Sequence, residues 1–209
     1  MKVIGLTGGI GSGKSTVLNI LKNRYNACVM LADDIGKQAM IPGTKTYHQM
    51  VQAFGVGILR DDGSIDTSEL SAVLMSDGKK LAMQNEIVHP YVIHKIEEKL
   101  ANIKSMEKGS GVCLDNGKAD TLVAIESAIL FEAGCDRLCD EIWVVTVTRE
   151  TRIERLMRDR GYSREKAEAF ISHQMSDAEY IARADRILYN DGDIEELNKQ
   201  IMENITVNY

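Results

Sequence analysis

Val3-Ile4-Gly5-Leu6-Thr7-Gly8-Gly9-Ile10-Gly11-Ser12-Gly13-Lys14-Ser15 decides the fold, because residues 8–15 match the phosphate-binding pattern G-x-x-x-x-G-K-[ST] in full. Residues 2–6 predict a β-strand and residues 14–22 a helix, the two elements that must flank this loop. The glycines let backbone N–H groups face phosphates, and the helix N-terminus adds the positive end of its dipole. Lys14 is expected to reach the β- and γ-phosphates, and the Ser15 hydroxyl to bind Mg²⁺. A glycine-rich turn without a ligand is the alternative.

The composition is that of a globular domain with room for an inserted subdomain: 209 residues, 44% of them hydrophobic. A formal net charge of −6 argues against nucleic acid as the main partner. No apolar run could span a bilayer and no signal-peptide pattern precedes the first strand, so we expect a cytoplasmic protein without membrane association. The four cysteines, Cys28, Cys113, Cys135 and Cys139, form no C-x-x-C pair and are expected to be reduced thiols rather than a zinc site.

Apolar runs predict four further strands, at residues 28–31, 122–126, 141–147 and 186–189. The runs at 122–126 and 141–147 are nearly continuous, as in buried parallel strands. Residues 2–31 form a β-α-β unit, which also favours a parallel sheet. Because ligands bind beyond the carboxyl ends of such strands, Gly8 and Asp33 are expected to converge.

Residues 35–103 instead show helical periodicity, interrupted by glycine and proline at 42–43, 55–57 and 61–63. Helices are predicted at 68–74 and 81–103, the second with Ile93, Ile96 and Leu100 at core spacing. Residues 105–120 are polar and predict a loop or a hairpin tip, to which no function is assigned. Further helices are predicted at 151–160, 164–175 and 194–205, the first two joined at Gly161.

Several separate stretches resemble dephospho-CoA kinases. They are Leu6–Thr16, which reads LTGGIGSGKST, Leu31–Gln38, Val88-His89-Pro90, Ile129–Glu132, Gln174-Met175, Arg183–Asp185 and Asn190-Asp191-Gly192. The resemblance covers essentially the whole chain. It implies that ATP phosphorylates the ribose 3′-hydroxyl of dephospho-CoA, giving CoA and ADP in the last step of CoA synthesis.

The resemblance also implies the architecture: an α/β fold, with a P-loop parallel β-sheet flanked by helices, a helical substrate-binding insertion and a helical lid. Residues 1–32, 121–150 and 185–209 would form the nucleotide-binding core. Residues 33–120 would form a mainly helical acceptor subdomain, and residues 151–184 the lid. The expected partners are the small molecules ATP and dephospho-CoA, with Mg²⁺ and without nucleic acid, in a monomer or small homo-oligomer.

The residues expected to act follow from the same resemblance. Catalysis is assigned to Lys14 and to Asp33, the latter as the base for the acceptor hydroxyl, with Asp34 as its neighbouring rival. Asp34 would otherwise be a helix N-cap or an exposed first-turn acid. ATP binding is assigned to Gly9, Ile10, Gly11, Ser12, Gly13, Lys14, Ser15, Thr16, Arg155 and Asn190. Metal binding is assigned to Ser15, and acceptor binding to Asp33, His89, Phe131 and Glu132. For His89 a packing or capping role is the alternative, and for Phe131 a place in the core.

The chain departs from the family pattern at four places. Leu31 replaces an acid before Asp33; if that acid helps to hold Mg²⁺, Glu126 is a candidate substitute, with a structural strand-end role as the alternative. Tyr180 stands where relatives often have lysine, which would remove a phosphate contact. Ala128 replaces a proline, and residues 158–161 differ from the common lid motif.

The arginine-rich segment suits phosphate, because guanidinium groups are planar and can bind two oxygens at once. Arg155 is the first choice for a triphosphate contact. The other arginines are expected either to bind phosphate or to be solvated charges paired with Glu154, Asp159 and Glu165. They are Arg152, Arg158, Arg160 and Arg164.

Two alternative functions share the loop. A P-loop kinase for another nucleoside or nucleotide acceptor would differ only in its acceptor. A GTPase switch would need a guanine motif N-K-x-D, which the sequence lacks.

Overall fold

The computed structural model describes residues 1–75, 77–109 and 121–206. They form two compact units, one made of residues 1–30 with 121–206, the other of residues 31–109. The functional assignment of residues 33–120 to an acceptor subdomain and of 151–184 to a lid stays a prediction.

A five-stranded parallel sheet with the strand order β2-β3-β1-β4-β5 organises the first unit. The strands are β1 (Lys2–Thr7), β2 (Cys28–Leu31), β3 (Leu122–Glu126), β4 (Glu141–Thr146) and β5 (Arg186–Tyr189). In the parallel ladders, Leu6 of the central strand is level with Glu126 on one side and Trp143 on the other. The predicted α/β class and all five strands are confirmed, although β1 also includes Thr7 and β4 ends before Val147.

Two helices cover one face of this sheet, α1 (Lys14–Tyr25) and the C-terminal helix Ile194–Thr206, numbered α9 below. Their apolar faces meet inward-pointing strand residues in one buried cluster that includes Leu6, Leu21 and Trp143. Burying such side chains stabilises the unit by about 2 kcal/mol each. The cluster therefore fixes the end of β1 from which the phosphate loop, residues 8–15, emerges.

Two aspartates accept hydrogen bonds from strand N–H groups at the amino end of the sheet, opposite the phosphate loop. The Asp140 carboxylate accepts a hydrogen bond from the Val3 N–H and the Asp185 carboxylate one from the Ile142 N–H, each at 2.7 Å. Hydrogen bonds to charged acceptors are among the stronger ones in proteins. Asp185, part of a stretch that resembles the kinase family, therefore has a structural role at the start of β4.

Three helices lie between β4 and β5, where two were predicted. They are α6 (Arg149–Arg160), α7 (Arg164–Ser172) and α8 (Asp177–Ala182). The predicted helix 164–175 already ends at Ser172, and the unpredicted α8 begins after Ser176, which forms a capping box with Glu179. The spacing S-x-x-E was the signal for that start. Gly161 ends α6 in the left-handed conformation, with φ 63°.

The second unit is helical, as predicted, with α2 (Ala32–Ala39), α3 (Lys45–Phe54), α4 (Thr67–Met75) and α5 (Gly78–Gly109). Helix α5 continues through residues 105–109, where a loop was predicted; residues 110–120 lie outside the described residues. Val88, Val92 and Ile96 are its buried stripe, at i, i+4 and i+8. The prediction that Ile93 and Leu100 lie at core positions is therefore wrong, since both are only half-buried.

None of the helices in the described ranges is long and apolar enough to cross a membrane. Three of the four cysteines lie in these ranges, and all three are free thiols: Cys28 is exposed, Cys139 half-buried and Cys135 buried. Burial raises the pKa of the Cys135 thiol to about 11 and that of Cys139 to about 12. Both therefore stay protonated near neutral pH, which suits packing rather than thiolate chemistry.

Candidate active site

The phosphate loop joins β1 to α1 and depends on its glycines. Gly8, Gly11 and Gly13 have φ values of 140°, 79° and 96°, which other residues rarely adopt. A Cβ on Gly8 would also overlap the Val145 carbonyl oxygen. Gly13 occupies the N-cap position of α1 without a side-chain cap in the part of the chain that the structure describes. The first turn of α1 therefore has backbone donors suited to an anion.

Lys14 extends back along the loop from the first position of α1. Its ammonium group donates to the carbonyl oxygens of Gly8, at 2.8 Å, and Gly9, at 3.5 Å. Glu126, at the end of β3, lies 3.8 Å from the same ammonium group. The two side chains are only 13% and 15% exposed, so their attraction is screened less than that of a surface pair. The structure thus brings together the expected phosphate-binding lysine and the acid considered as a metal ligand.

Arg155 and Asn190 contact the loop through its carbonyl groups. The Arg155 guanidinium donates to the oxygens of Ser12, at 3.1 Å, Gly11, at 3.3 Å, and Asn190, at 2.7 Å. The Asn190 side-chain amide donates to the same Ser12 oxygen at 2.8 Å. A Cβ on Gly13 would overlap that amide, so this glycine is required by close approach as well as by its φ. Both residues hold the loop backbone, and their assigned contacts with ATP stay predictions.

Arg152 is not a solvated charge, so that alternative is excluded for this arginine. The residue is 2% exposed, and its guanidinium bonds to Ile10, Gln174 and Asp177. Burial lowers the pKa of Arg152 below its ordinary value, an effect that Asp177 opposes. Burying a guanidinium is costly, and one acceptor at each of its three nitrogens offsets part of that cost.

Other arginines of this segment are exposed charges, and of those below only Arg158 has one of the expected partners, while phosphate binding stays a prediction for all of them. Arg158 pairs with Asp159 at 2.7 Å, and Arg164 pairs with Glu150 at 2.6 Å. Arg160 is also exposed. Exposed pairs of this kind contribute little to stability.

Asp33 and Asp34 lie in the first turn of α2, directly after β2. Both are exposed, and their charges suit the positive end of the helix dipole. Leu31 occupies the N-cap position, so Asp34 is a first-turn acid and not a cap. Its carboxylate pairs with Lys37 at 2.7 Å, which raises the pKa of that lysine. Asp34 thus has a local structural role on the helix surface.

The remaining expected acceptor residues lie on two elements. His89 is half-buried in the interior of α5, immediately before Pro90, so a capping role is excluded. Phe131 and Glu132 lie in the turn after β3, where Phe131 is half-buried and Glu132 exposed. The Arg183 guanidinium lies 5.0 Å from the centre of the Phe131 ring. Phe131 is therefore partly covered by a cation and is not in the core.

Tyr180, at the position where relatives often have a lysine, is a buried structural residue. It is 2% exposed, and its hydroxyl donates to the Ala128 carbonyl oxygen at 3.0 Å. Burial, together with the nearby charge of Glu132, raises the pKa of Tyr180 to about 12. The neutral hydroxyl supports the turn after β3, which is where the family pattern has a proline in place of Ala128.

Comparisons with known proteins show the family of this chain. A family model described as dephospho-CoA kinase matches residues 2–196. The dephospho-CoA kinase of Geobacter sulfurreducens is 39% identical over 203 residues, covering 97% of this chain and 96% of the relative. That of Carboxydothermus hydrogenoformans is 37% identical over 202 residues, covering 97% and 92%.

Solved structures show the same fold. A protein from Thermus thermophilus aligns with a TM-score of 0.79 at 28% identity, covering 99% of this chain and 97% of that one. The dephospho-CoA kinase from Campylobacter jejuni gives a TM-score of 0.68 at 20% identity over 99% and 96% of the chains. A shikimate kinase from Acinetobacter baumannii gives 0.51 at 15% identity over 100% and 94%, so it shows only a shared fold. From its sequence match over residues 2–196 and its phosphate loop, the chain belongs to the dephospho-CoA kinase family.

Proposed function

We propose that this protein transfers the γ-phosphoryl group of ATP to the ribose 3′-hydroxyl of dephospho-CoA, giving CoA and ADP. The observation that carries the proposal is the family match over residues 2–196. The geometry of the first unit supports the donor half of the reaction, because a complete phosphate loop lies at the carboxyl end of a parallel sheet. The loop geometry thus supports the donor, and the family match supports dephospho-CoA as the acceptor.

The loop and Lys14 would bind the triphosphate. Phosphoryl transfer depends mainly on positioning and on neutralising the phosphate oxygens. Backbone N–H groups at the start of α1 and the Lys14 ammonium provide fixed positive charge for this purpose. Arg155 and Asn190 would keep the loop in shape by binding its carbonyl oxygens.

Mg²⁺ fits the donor set of this site. The described residues contain no group of three or more His, Cys, Asp or Glu that could hold a metal by itself. This suits Mg²⁺ bound mainly through substrate phosphates and water, with one or two protein oxygens. Ser15 and Glu126 would supply those oxygens, and the bound ion would neutralise charge that develops on the phosphates.

Asp33 would accept or orient the proton of the acceptor hydroxyl. It is exposed at the end of β2, a position that faces ligands in parallel α/β sheets. Asp34 is paired with Lys37, which favours Asp33 for this role. His89, Phe131 and Glu132 are the proposed acceptor contacts.

The proposed setting is the cytoplasm, with ATP and dephospho-CoA as small-molecule partners and no nucleic acid. The free thiols among the described cysteines and the net charge of −6 support this. A monomer or small homo-oligomer is proposed.

The decisive experiment incubates the purified protein with ATP and MgCl₂, and with dephospho-CoA, a nucleoside monophosphate or no acceptor. Mass spectrometry should detect CoA and ADP only where dephospho-CoA is present. Phosphorylation of the monophosphate instead would favour a different nucleotide acceptor. ATP hydrolysis that is independent of any acceptor would overturn the proposal.

A further inference from the structure

Arg152 connects the phosphate loop to the helices α6–α8, and the proposed chemistry does not use it. Its Nε donates to the Ile10 carbonyl oxygen at 2.9 Å. Its Nη2 donates to Gln174 Oε1 at 2.9 Å, and its Nη1 to Asp177 Oδ1 at 3.0 Å. All three guanidinium nitrogens therefore have acceptors, one in the loop and two at the junction of α7 and α8.

Ile10, in the middle of the loop, is held by these helices through both of its backbone groups. Its N–H donates to Gln174 Oε1 at 2.8 Å, while its carbonyl accepts from Arg152. Its side chain packs against the buried cluster of α6 and α7 that includes Ile153 and Ile171. A residue held by polar and apolar contacts together has little freedom to move independently of the helices.

Two glycines of the loop lie close to the same arginine. A Cβ on Gly9 would overlap the Arg152 guanidinium, although the φ of Gly9 is not among the positive values. A Cβ on Gly11 would lie 3.1 Å from the Arg152 carbonyl oxygen. A side chain at Gly9 would therefore displace the Arg152 guanidinium from its three acceptors, whereas the φ of Gly9 does not itself call for glycine.

We propose that Arg152 and Gln174 are positioning residues that hold the phosphate loop in its nucleotide-binding shape and couple it to the helices α6–α8. They act through the backbone of Ile10, between the glycines that shape the loop. Lysine could not replace Arg152, because one ammonium group cannot reach three acceptors in a planar arrangement. The inference rests on the proposed function in that ATP is taken as the ligand of the loop.

The first test compares Arg152→Gln, Gln174→Met and Gln174→Glu with the unmodified protein. Gln174→Glu retains an oxygen that can accept from both Ile10 and Arg152. Direct binding of ATP without acceptor is measured by calorimetry, together with KM for each substrate and the Tm. Arg24→Gln, an exposed arginine at the end of α1, is the matched control.

We expect ATP binding and KM for ATP to weaken about tenfold in Arg152→Gln and Gln174→Met, the scale of one to two lost buried hydrogen bonds. KM for dephospho-CoA should stay within about twofold, and Gln174→Glu should restore most of the ATP affinity. Unchanged ATP affinity in Gln174→Met at an unchanged Tm would overturn the inference. Equal weakening for both substrates would also overturn it, because a general structural defect would explain it.

A second test uses the contact between Gly9 and Arg152. Gly9→Ala should weaken ATP binding in the unmodified protein but at least about threefold less in an Arg152→Ala background, because the clash is removed there. Additive effects in this double-mutant cycle would contradict the arrangement. The readout is ATP binding alone, so absence of CoA formation would overturn the proposed function without deciding this test.

Discussion

The phosphate loop and the acidic turn of α2 are built in opposite ways. The loop is surrounded by Arg152, Arg155 and Asn190, which come from distant parts of the chain and bind its carbonyl oxygens. Asp33 and Asp34 are exposed on one helical turn, and Asp34 is paired with a lysine three residues away. Tertiary contacts thus fix the phosphate loop, whereas local helix geometry fixes the acids. Substitutions of the residues that hold the loop should change binding and stability together, whereas substitution of Asp33 should change chemistry alone.

The largest expected effect comes from Lys14→Ala. Removing the ammonium group takes away the positive charge that the loop presents to the phosphates, so kcat/KM for ATP should fall about 1,000-fold. Steady-state kinetics measure this, with Lys22→Ala, an exposed lysine at the end of the same helix, as the control. A loss below about tenfold would show that the loop is not where the triphosphate reacts.

Asp33→Asn tests the other side of the comparison. Loss of a positioned base should lower kcat by about 100-fold while ATP affinity and Tm stay nearly unchanged. Asp34→Asn is the matched control, since it removes only a surface ion pair with Lys37. A larger loss of kcat in Asp34→Asn than in Asp33→Asn would show that Asp34, not Asp33, acts as the base.

Asn190→Asp should have an intermediate effect on the donor site. The change replaces a buried donor by a carboxylate facing the Ser12 carbonyl oxygen, so ATP affinity should fall about tenfold and the Tm should decrease. Asn198→Asp also removes an amide that donates to a carbonyl, in this case that of Ile194 in α9. If both variants reduced ATP affinity equally, the contact with the loop would not be responsible.

Tyr180→Phe should have the smallest effect, visible only in stability. The pKa of Tyr180 is raised from 10.0 to about 12, so the folded state favours the neutral phenol. The resulting stabilisation is complete below pH 10 and is lost as pH rises from 10 to about 12. The slope attributable to this group is about 1.4 kcal/mol per pH unit, measured by denaturant unfolding. In Tyr180→Phe this part of the decline should vanish; an identical pH dependence in both proteins would contradict the burial of the hydroxyl.

Elements with strong local signals were predicted well from the sequence. The strand Cys28–Leu31 and the strand Arg186–Tyr189 were predicted with their observed ends, because each short apolar run has polar residues within two positions of both ends. The short helix Asp177–Ala182 was missed, since six residues show too little periodicity. The end of α5 was placed too early because its last turns are polar, which resembles a loop in the sequence.

Among the site residues, too, those with local sequence signals were predicted and those that depend on distant contacts were not. Lys14 and the glycines of the loop were identified from consecutive residues, since their chemistry depends on local backbone shape. The role of Arg152 was not, because its partners lie 142 residues before it at Ile10 and 22 and 25 residues after it at Gln174 and Asp177. In the sequence, a buried arginine on a charged helix looks the same as a solvated arginine. Only the fold shows which face of the helix lies against the loop.

The sequence by itself determined that this chain builds a parallel α/β sheet with a phosphate loop, because strand, loop and helix are encoded by neighbouring residues. It also carried the resemblance that names the family. Only the tertiary structure decided which side chains hold that loop, that Gly9 lies directly against the Arg152 guanidinium, and that Tyr180 is buried. These properties depend on burial and on hydrogen bonds between distant segments, which become defined only when the chain folds.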